Sequence, residues 1–237
     1  MEPYFSTPNG KLYHADCMDL MYCMGVNAVD LILTDPPYGI GEAAGKNRSR
    51  GTKAGKKDAK NTRGTAIPSS DFGSLPWDNE PPAPEYFDMM MAVAPNQIVF
   101  GGNYFSLPPT SCWVVWDKDN CGNDFADCEL AWTSFDSAVR KIKYRWNGFL
   151  QGSLSATSPD KEKRVHPTQK PVAVMKWILE RYSKPGDLIF DPFLGSGPVA
   201  IACEQMGRKW IGVEREEQYC EVAAARLSQP IQKTLVA

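Results

Sequence analysis

The chain has 237 residues, with 26 basic and 28 acidic side chains and a formal net charge of −2. Its length and an apolar fraction of 43% allow one sizeable hydrophobic core, so we expect a single α/β domain. The near-neutral charge excludes a uniformly basic nucleic-acid binder, and any basic surface must therefore be local.

The N-terminal segment and the cysteines predict a cytoplasmic protein. No basic stretch followed by an apolar run opens the chain, and no segment approaches about 18 consecutive apolar residues. Seven cysteines are scattered without a compact framework, which is usual in a reducing compartment. A zinc site at Cys112, Cys121 and Cys128 is conceivable, but the spacing is unlike that of metal ligands and buried thiols are the preferred interpretation. No metal is predicted.

Two strand-like segments and a helix open the chain as a β-α-β unit. Residues 11–16 (KLYHAD) and 29–35 (VDLILTD) each run into a loop, and the second is apolar on both faces, as a central parallel strand is. Between them, Met18, Met21 and Tyr22 recur at helical spacing before a glycine ends the pattern.

The segment after the second strand differs sharply in composition. From about residue 41 to 76, Gly, Ser, Lys and Arg dominate without apolar periodicity. Eight basic residues against one acidic residue make part of this segment the positive patch that the net charge conceals. They are Lys46, Arg48, Arg50, Lys53, Lys56, Lys57, Lys60 and Arg63.

The rest of the chain alternates between strands and helices. In the middle we predict a helix at 82–95, a strand that leads into a glycine-marked loop at 96–105, and a strand at 111–118. An antiparallel pair at 128–135 and 139–146 and a Gly/Ser-rich link at 149–169 follow. The C-terminal part reads as a helix at 171–183, a strand at 187–191, a helix at 198–206, a strand at 209–214 and a helix at 217–228. This alternation predicts a mostly parallel sheet covered on both faces.

A glycine loop joins the strand at 187–191 to the next helix and predicts a nucleoside site. Gly195 and Gly197 let the backbone approach a ligand, and the helix that follows points free N–H groups towards it. Glu214, about twenty residues on at the next strand end, can accept both ribose hydroxyls. A dinucleotide fingerprint fits less well because the third glycine is missing, and no P-loop motif occurs.

Four carboxylates follow strands that we expect to be parallel. Asp16, Asp35, Asp191 and Glu214 would then share one edge of the sheet, where α/β proteins bind ligands. This predicts a nucleoside-like ligand beside a reaction centre. For Asp16 and Asp191 taken singly, a solvated turn or a helix cap is an equally good interpretation.

Three motifs in this order resemble the amino-DNA methyltransferases, which transfer a methyl group from S-adenosylmethionine to an exocyclic amine of a base. They are TDPPYGI at 34–40, HPTQKP at 166–171 and DPFLGSG at 191–197. The resemblance covers most of the chain and implies a Rossmann-like class I methyltransferase fold with a mixed, mostly parallel seven-stranded sheet and an antiparallel hairpin. The motif order resembles the circularly permuted β group, which would place the strand at 11–16 beside that at 209–214.

The resemblance also implies which residues bind S-adenosylmethionine. Phe193, Gly195, Ser196 and Gly197, following Asp191, would surround its amino-acid half. Glu214 would bind the ribose, and Asp16 would accept from the adenine amino group. Thr168, Gln169 and Lys170 would cover the methionyl end, although an exposed cation at a helix start is an alternative for Lys170.

The tetrapeptide Asp35-Pro36-Pro37-Tyr38 would hold the target base. Asp35 and the Pro36 carbonyl can accept the two amine N–H bonds and so concentrate the lone pair towards the methyl donor. Pro37 fixes the carbonyl because its φ is locked, and Tyr38 offers a face for stacking on a base flipped out of the duplex. None of the seven cysteines follows a proline, which disfavours a 5-methylcytosine enzyme.

The predicted substrate is double-stranded DNA, methylated at adenine N6 in a restriction–modification setting in a bacterial or phage-infected cell. Asp in the first position of the tetrapeptide is more typical of adenine enzymes, and N4-cytosine is the close alternative. A catalytically idle DNA-binding relative and an RNA or protein-glutamine methyltransferase are weaker alternatives. We expect one catalytic domain, 1–237, with a basic DNA-contacting loop at 41–76 and a short recognition segment at 147–166; a homodimer stays open.

Overall fold

The computed structural model describes residues 1–40, 78–119, 126–146, 151–153, 161–166 and 168–229. The predicted basic loop, with all eight of its DNA-contacting candidates between Lys46 and Arg63, lies outside these residues, as does much of the predicted recognition segment.

One mixed β-sheet organises the described residues. Its strands are β1 (Phe5–Ser6), β2 (Gly10–His14), β3 (Leu31–Thr34), β4 (Gln97–Phe100), β5 (Trp113–Asp117), β6 (Cys128–Thr133), β7 (Arg140–Lys143), β8 (Leu188–Asp191) and β9 (Lys209–Glu214). Their spatial order is β1-β2-β9-β8-β3-β4-β6-β5-β7. All eight strand segments predicted along the chain are present, and β1 is added at one edge, so the described sheet has nine strands where the resemblance implied seven.

Helices cover both faces of this sheet, as predicted. They are α1 (Cys17–Cys23), α2 (Pro84–Val93), α3 (Val172–Tyr182), α4 (Pro198–Met206) and α5 (Glu217–Leu227), and a 3-10 turn spans Gly102–Tyr104. One apolar cluster packs α1 and α2 against the sheet, and a second packs α3, α4 and α5 against the other face. Burial on both faces explains why every residue of β3 and β4 is buried.

The central strands β2, β9, β8, β3 and β4 are all parallel. The pairing of β2 with β9, from Gly10 opposite Trp210 to His14 opposite Glu214, confirms that strands near opposite ends of the sequence are neighbours. Because parallel strands share one direction, their carboxyl ends meet at the same edge of the sheet.

The predicted antiparallel pairing of 128–135 with 139–146 is wrong. β6 is antiparallel to β4 and β5, so both of its edges are already paired. β7 instead lies parallel to β5 at the border of the sheet. In β7 only Ile142 is partly buried, and charged side chains at the other positions suit an edge strand that faces water.

Two further expectations bear on the chain as a whole. None of the helices described is both long and apolar enough to cross a membrane. Cys112 lies just before β5, whereas Cys128 pairs with Asp117 at the far end of the same strand. These two thiols are therefore too far apart to bind one ion, and Cys121 lies outside the described residues.

Candidate functional site

A cavity of about 570 Å³ lies at the carboxyl ends of the central strands. All four carboxylates predicted from strand ends, Asp16, Asp35, Asp191 and Glu214, line it. So do Phe193, Gly195, Ser196, Thr168, Gln169, Lys170 and Pro37. The volume falls within the range of about 300–1,000 Å³ that is usual for small-molecule sites.

Glu214, at the end of β9, clamps the glycine loop. Its Oε2 accepts a hydrogen bond of 2.8 Å from the Gly195 N–H, and its Oε1 accepts one of 2.8 Å from the Glu216 N–H. The Gly197 N–H donates to the Leu194 carbonyl at 2.9 Å. The N–H groups of both loop glycines are therefore used within the protein. The expectation that the following helix points free N–H groups towards a ligand stays a prediction. Burial nevertheless raises the pKa of Glu214, and each of its oxygens keeps a second lone pair for a hydroxyl donor.

Asp191 is the most deeply buried of the four carboxylates, with 3% of its surface exposed. Its Oδ1 accepts from the Thr34 hydroxyl at 2.7 Å and from the Phe193 N–H at 3.1 Å. Burial outweighs both hydrogen bonds and raises the pKa of Asp191 to about 7. The side chain thus joins β8 to β3 at the wall of the cavity.

Asp16 acts as the N-cap of α1 and also binds a tyrosine that the sequence did not single out. Its Oδ1 accepts from the Met18 N–H at 2.9 Å, and the Tyr86 hydroxyl donates to both carboxylate oxygens at 3.0 and 3.2 Å. Tyr86 lies on α2, lines the cavity and faces Phe193 with ring centroids 6.1 Å apart. Burial and the bond to Asp16 raise the pKa of Tyr86 to about 12, so it stays a donor.

Asp35, directly after β3, is held from two sides. The Tyr38 hydroxyl donates to its Oδ1 at 2.7 Å, and the Lys170 ammonium donates to its Oδ2 at 2.6 Å. Burial raises the pKa of Asp35 even though Lys170 lies beside it. The same surroundings raise the pKa of Tyr38 well above its usual value, so the phenol keeps its proton.

Lys170 is only 4% exposed, so the alternative of an exposed cation at a helix start is wrong. Its ammonium also lies 3.1 Å from Glu129 Oε2, and Glu129 Oε1 lies 2.5 Å from Lys118. Burial alone would lower the pKa of Lys170, but the Asp35 and Glu129 carboxylates outweigh it and raise that pKa. Lys170 therefore remains a cation shared by two carboxylates.

The Tyr38 ring is packed tightly. It stacks on Tyr104 with ring centroids 4.9 Å apart and an interplanar angle of 15°, while Phe105 meets it edge-on at 6.2 Å. Gly101 makes this packing possible, since a Cβ built there would lie 2.1 Å from the Tyr38 ring. One face of the predicted stacking platform is thus covered by Tyr104, which is itself 49% exposed.

The segment before α3 forms another wall of the cavity. His166 packs on Tyr219 with ring centroids 4.2 Å apart, and burial lowers its pKa to about 3, so it is neutral. Its Nδ1 contacts the Thr168 hydroxyl at 3.2 Å. The Gln169 amide accepts from the Val165 N–H at 2.9 Å and thereby braces the chain that precedes it.

Sequence reasoning and structure differ in three respects at this site. Pro36, Tyr38 and Gly197 do not line the cavity, although they adjoin residues that do. Lys170, assigned to the methionyl end, also holds Asp35. Tyr86, Glu129 and His166 were not among the predicted site residues. His166 lay within a motif, Glu129 within the predicted strand at 128–135, and Tyr86 within the predicted helix at 82–95.

Comparison with known proteins relates the chain to DNA methylases. A family model described as DNA methylase, of the N6/N4 type, matches residues 108–225. The Type II methyltransferase M.ScaI of Streptomyces caespitosus is 27% identical over 98% of this chain and 85% of its own length. The Type II methyltransferase M2.LlaDCHI of Lactococcus lactis subsp. cremoris is 25% identical over 96% and 93%. Together these findings support a DNA methyltransferase.

Solved structures share the fold. The M1.HpyAVI–SAM complex aligns with a TM-score of 0.52 and 24% identity, covering 92% of this chain and 99% of that one. PvuII DNA methyltransferase, cytosine-N4-specific, aligns with a TM-score of 0.58 and 14% identity over 100% and 91%. The predicted Rossmann-like methyltransferase fold is confirmed, whereas the circular permutation stays a prediction.

Proposed function

We propose that the protein is a DNA methyltransferase that transfers a methyl group from S-adenosylmethionine to the N6 amine of an adenine flipped out of double-stranded DNA. The family match and the two Type II relatives support the methyltransferase activity. The choice of adenine depends on Asp35 as the first residue of the tetrapeptide.

One observation carries this proposal. Asp35 and Glu214 are far apart in the sequence, yet both line the same cavity. The cavity therefore contains both a nucleoside site, at Glu214, and a carboxylate that can accept a hydrogen bond from an amine, Asp35. That arrangement brings a cofactor and a base together, and positioning of this kind supplies much of the catalysis in a direct transfer.

The residues present fit S-adenosylmethionine. Glu214 offers acceptor oxygens for ribose hydroxyls, Asp16 offers them for an adenine amino group, and Phe193 and Tyr86 offer aromatic walls. When bound, the cofactor supplies the methyl group from its sulfonium. Thr168, Gln169, Ser196 and Gly195 line the remaining wall, where the amino-acid half would lie.

Asp35 would activate the amine. An exocyclic amine is a poor nucleophile because its lone pair is delocalised into the ring, and acceptors for its two N–H bonds favour the pyramidal form. Tyr38 and Lys170 each occupy one lone pair of an Asp35 oxygen, which leaves a second lone pair on each. Asp35 is thus fixed in orientation and can still accept from the amine, together with the Pro36 carbonyl.

A flipped base would have to displace Tyr104. Ring centroids 4.9 Å apart leave no space for a base between Tyr38 and Tyr104. Tyr104 is half exposed and can move outwards, exchanging one stacked ring for another. The base would then regain part of the few kcal/mol that flipping costs.

DNA would be held by the basic loop at 41–76, from Lys46 to Arg63, through phosphate contacts that add affinity without reading sequence. We assign base recognition to the segment at 147–166. A single domain over 1–237, a cytoplasmic location and a possible dimeric state are retained as parts of the proposal.

The test is a methylation assay with labelled S-adenosylmethionine and unmethylated DNA. Products are digested to nucleosides and identified, with Asp35→Ala as the inactive variant and Asp88→Ala, at an exposed position on α2, as the control. Binding of S-adenosylhomocysteine, followed by thermal shift, verifies that each variant is folded and keeps its cofactor site.

We expect N6-methyladenine from the wild type and from Asp88→Ala, and at least a 100-fold loss in Asp35→Ala, in the range seen when a key polar group is removed from an active site. N4-methylcytosine as the product would replace adenine by the cytosine alternative. Cofactor binding without label above the Asp35→Ala background would favour the idle DNA-binding relative.

A further inference from the structure

Glu129, on β6, lies outside the three motifs at 34–40, 166–171 and 191–197. Its carboxylate contacts two lysines, Lys118 at 2.5 Å and Lys170 at 3.1 Å, and Lys170 also binds Asp35 at 2.6 Å. The four groups form a row of alternating charge, Lys118–Glu129–Lys170–Asp35. It runs from the residue that follows β5, next to the edge strand β7, to the wall of the cavity.

The row is well removed from solvent. The side chains of Lys170, Lys118, Glu129 and Asp35 are 5%, 16%, 21% and 21% exposed. Among the described residues, Glu129 Oε2 has no aligned hydrogen-bond donor, so its contact with Lys170 is electrostatic. In such surroundings charges interact more strongly than they do on a surface.

The row is also asymmetric. Glu129 has a lysine on either side, and although burial opposes it, Lys170 and Lys118 lower the pKa of Glu129. Asp35 has one lysine, which it shares, and burial together with the nearby Glu129 carboxylate keeps the pKa of Asp35 raised. The surroundings therefore shift Asp35 towards its protonated form and Glu129 towards its ionised form.

We infer that Glu129 is a positioning residue for Asp35: by sharing the Lys170 ammonium it keeps Asp35 a strong hydrogen-bond acceptor while Lys170 still holds its orientation. This inference rests on the proposed function for its catalytic meaning. A lysine paired with Asp35 alone would withdraw electron density from the oxygens that must accept from the amine. Glu129 moderates that effect, and Lys118 limits how far it does so by pairing with the other oxygen of Glu129.

The groups that determine the protonation of Asp35 come from every side of it. Lys170 precedes α3, Glu129 lies on β6, Tyr38 follows in the same loop, and Asp191 lies at the end of β8. Lys118, after β5, acts through Glu129. Substituting one of them at a time should shift the titration of Asp35 in a direction set by the charge removed.

The experiment is a carbon-13 NMR titration of Asp35, without cofactor or DNA, in protein labelled at the aspartate side-chain carboxyl. The Asp35 signal is the one missing from Asp35→Asn. In Glu129→Gln we expect the Asp35 midpoint to fall by about one pH unit, since a like charge is lost and Asp35 is left as the one carboxylate paired with Lys170. In Lys170→Met it should rise.

Lys118→Met provides a second reading should Glu129→Gln fold poorly. In that variant Glu129 has lost its other lysine and pairs more strongly with Lys170. Lys170 then stabilises the Asp35 carboxylate less, so the midpoint of the Asp35 titration should rise. Glu180→Gln, an exposed change on α3, is the matched control and should leave the midpoint in place. A Glu129→Gln midpoint at or above that of the wild type, or an unchanged midpoint in Lys118→Met, overturns the inference.

Kinetics then connect this coupling to the reaction. In Glu129→Gln the acid limb of the kcat profile should move to lower pH and the plateau should fall about tenfold, with KM for S-adenosylmethionine unchanged. A purely structural role would lower activity at every pH without moving the limb. If the wild type methylates no DNA, the proposed function fails while the titration still decides the role of Glu129.

Discussion

At the scale of single residues, the contact between Tyr38 and Asp35 assigns the tyrosine two tasks. Its ring lies between Gly101 and Tyr104, and its hydroxyl donates to Asp35 at 2.7 Å. Sequence reasoning predicted only the stacking role. The hydroxyl is a structural finding, and because its pKa is raised well above the usual value it cannot act as a base near neutral pH.

Substitution of Tyr38 by Phe should separate these tasks. The ring remains and the hydrogen bond to Asp35 is lost; a hydrogen bond to a charged group is worth about 1.5–3 kcal/mol, so kcat should fall roughly tenfold or more. The KM for DNA should change little, whereas Tyr38→Leu should raise it as well because stacking is lost. Steady-state kinetics on a methylatable duplex measure both constants. Equal kinetics for Tyr38→Phe and the wild type would mean that the hydroxyl plays no part.

At the scale of elements, the sequence predicted the buried parts of the fold well. α4 and β9 were predicted with the observed bounds, and β3 and β8 to within two residues, because an apolar strand or helix carries its own periodicity. The pairing of β7 was missed because its alternation is polar and its short connection to β6 favoured a hairpin. A buried element leaves an apolar pattern in the sequence from which it can be predicted. The partner of an edge strand depends instead on which strand edges in the sheet remain unpaired.

The same reasoning explains which parts of the site could be predicted. Asp16, Asp35, Asp191 and Glu214 could be placed from strand ends alone, since parallel strands align their carboxyl ends. The bond from Lys170 to Asp35 joins residues 135 positions apart, and no local pattern encodes it. Glu129 lies on a strand that is predicted from its mixture of apolar and polar residues. That pattern predicts the strand but gives Glu129 no role in the site.

The turn after β4 should be as important for activity as the tetrapeptide. Gly101 has φ +67, and any Cβ there would strike the Tyr38 ring. Gly101→Ala should therefore displace Tyr38 from Asp35 and lower kcat at least tenfold. Gly207 has the same φ of +67 with nothing within 4 Å of an added Cβ. Gly207→Ala thus carries the backbone strain of about 1 kcal/mol without the clash.

Thermal unfolding and kinetics on the two glycine variants distinguish strain from displacement. Both should lose stability, but only Gly101→Ala should lose most of its methyltransferase activity. A parallel loss of activity in both variants would point to general destabilisation and against a specific role for the packing of Tyr38 on the turn.

At the scale of the whole molecule, the site is a product of chain topology. β2 and β9 bring Asp16 and Glu214 together from near the two ends of the described chain, and β8 and β3 place Asp191 between them and Asp35. The cost of this arrangement is a buried carboxylate in the centre of the sheet. Hydrogen bonds from Thr34 and Phe193 offset only part of it, as the raised pKa of Asp191 indicates.

Asp191 should therefore make global stability fall as pH rises. Its pKa is about 7 in the folded protein, against a reference value of 3.8, so between these values the folded state binds the extra proton. The free energy of unfolding should then decrease as pH increases through that window, and Asp191→Asn should remove this dependence. Relative to the wild type, the variant should gain roughly 2–3 kcal/mol between pH 5 and pH 8, since one pKa unit corresponds to about 1.4 kcal/mol.

Denaturant unfolding at both pH values measures this difference, and any cost of an unpaired amide is the same at each pH and cancels. Asp88→Asn, the same change at an exposed position, should show no comparable gain. A stability difference for Asp191→Asn that is equal at pH 5 and pH 8 would mean that Asp191 is already ionised in the folded protein, held so by its two hydrogen bonds.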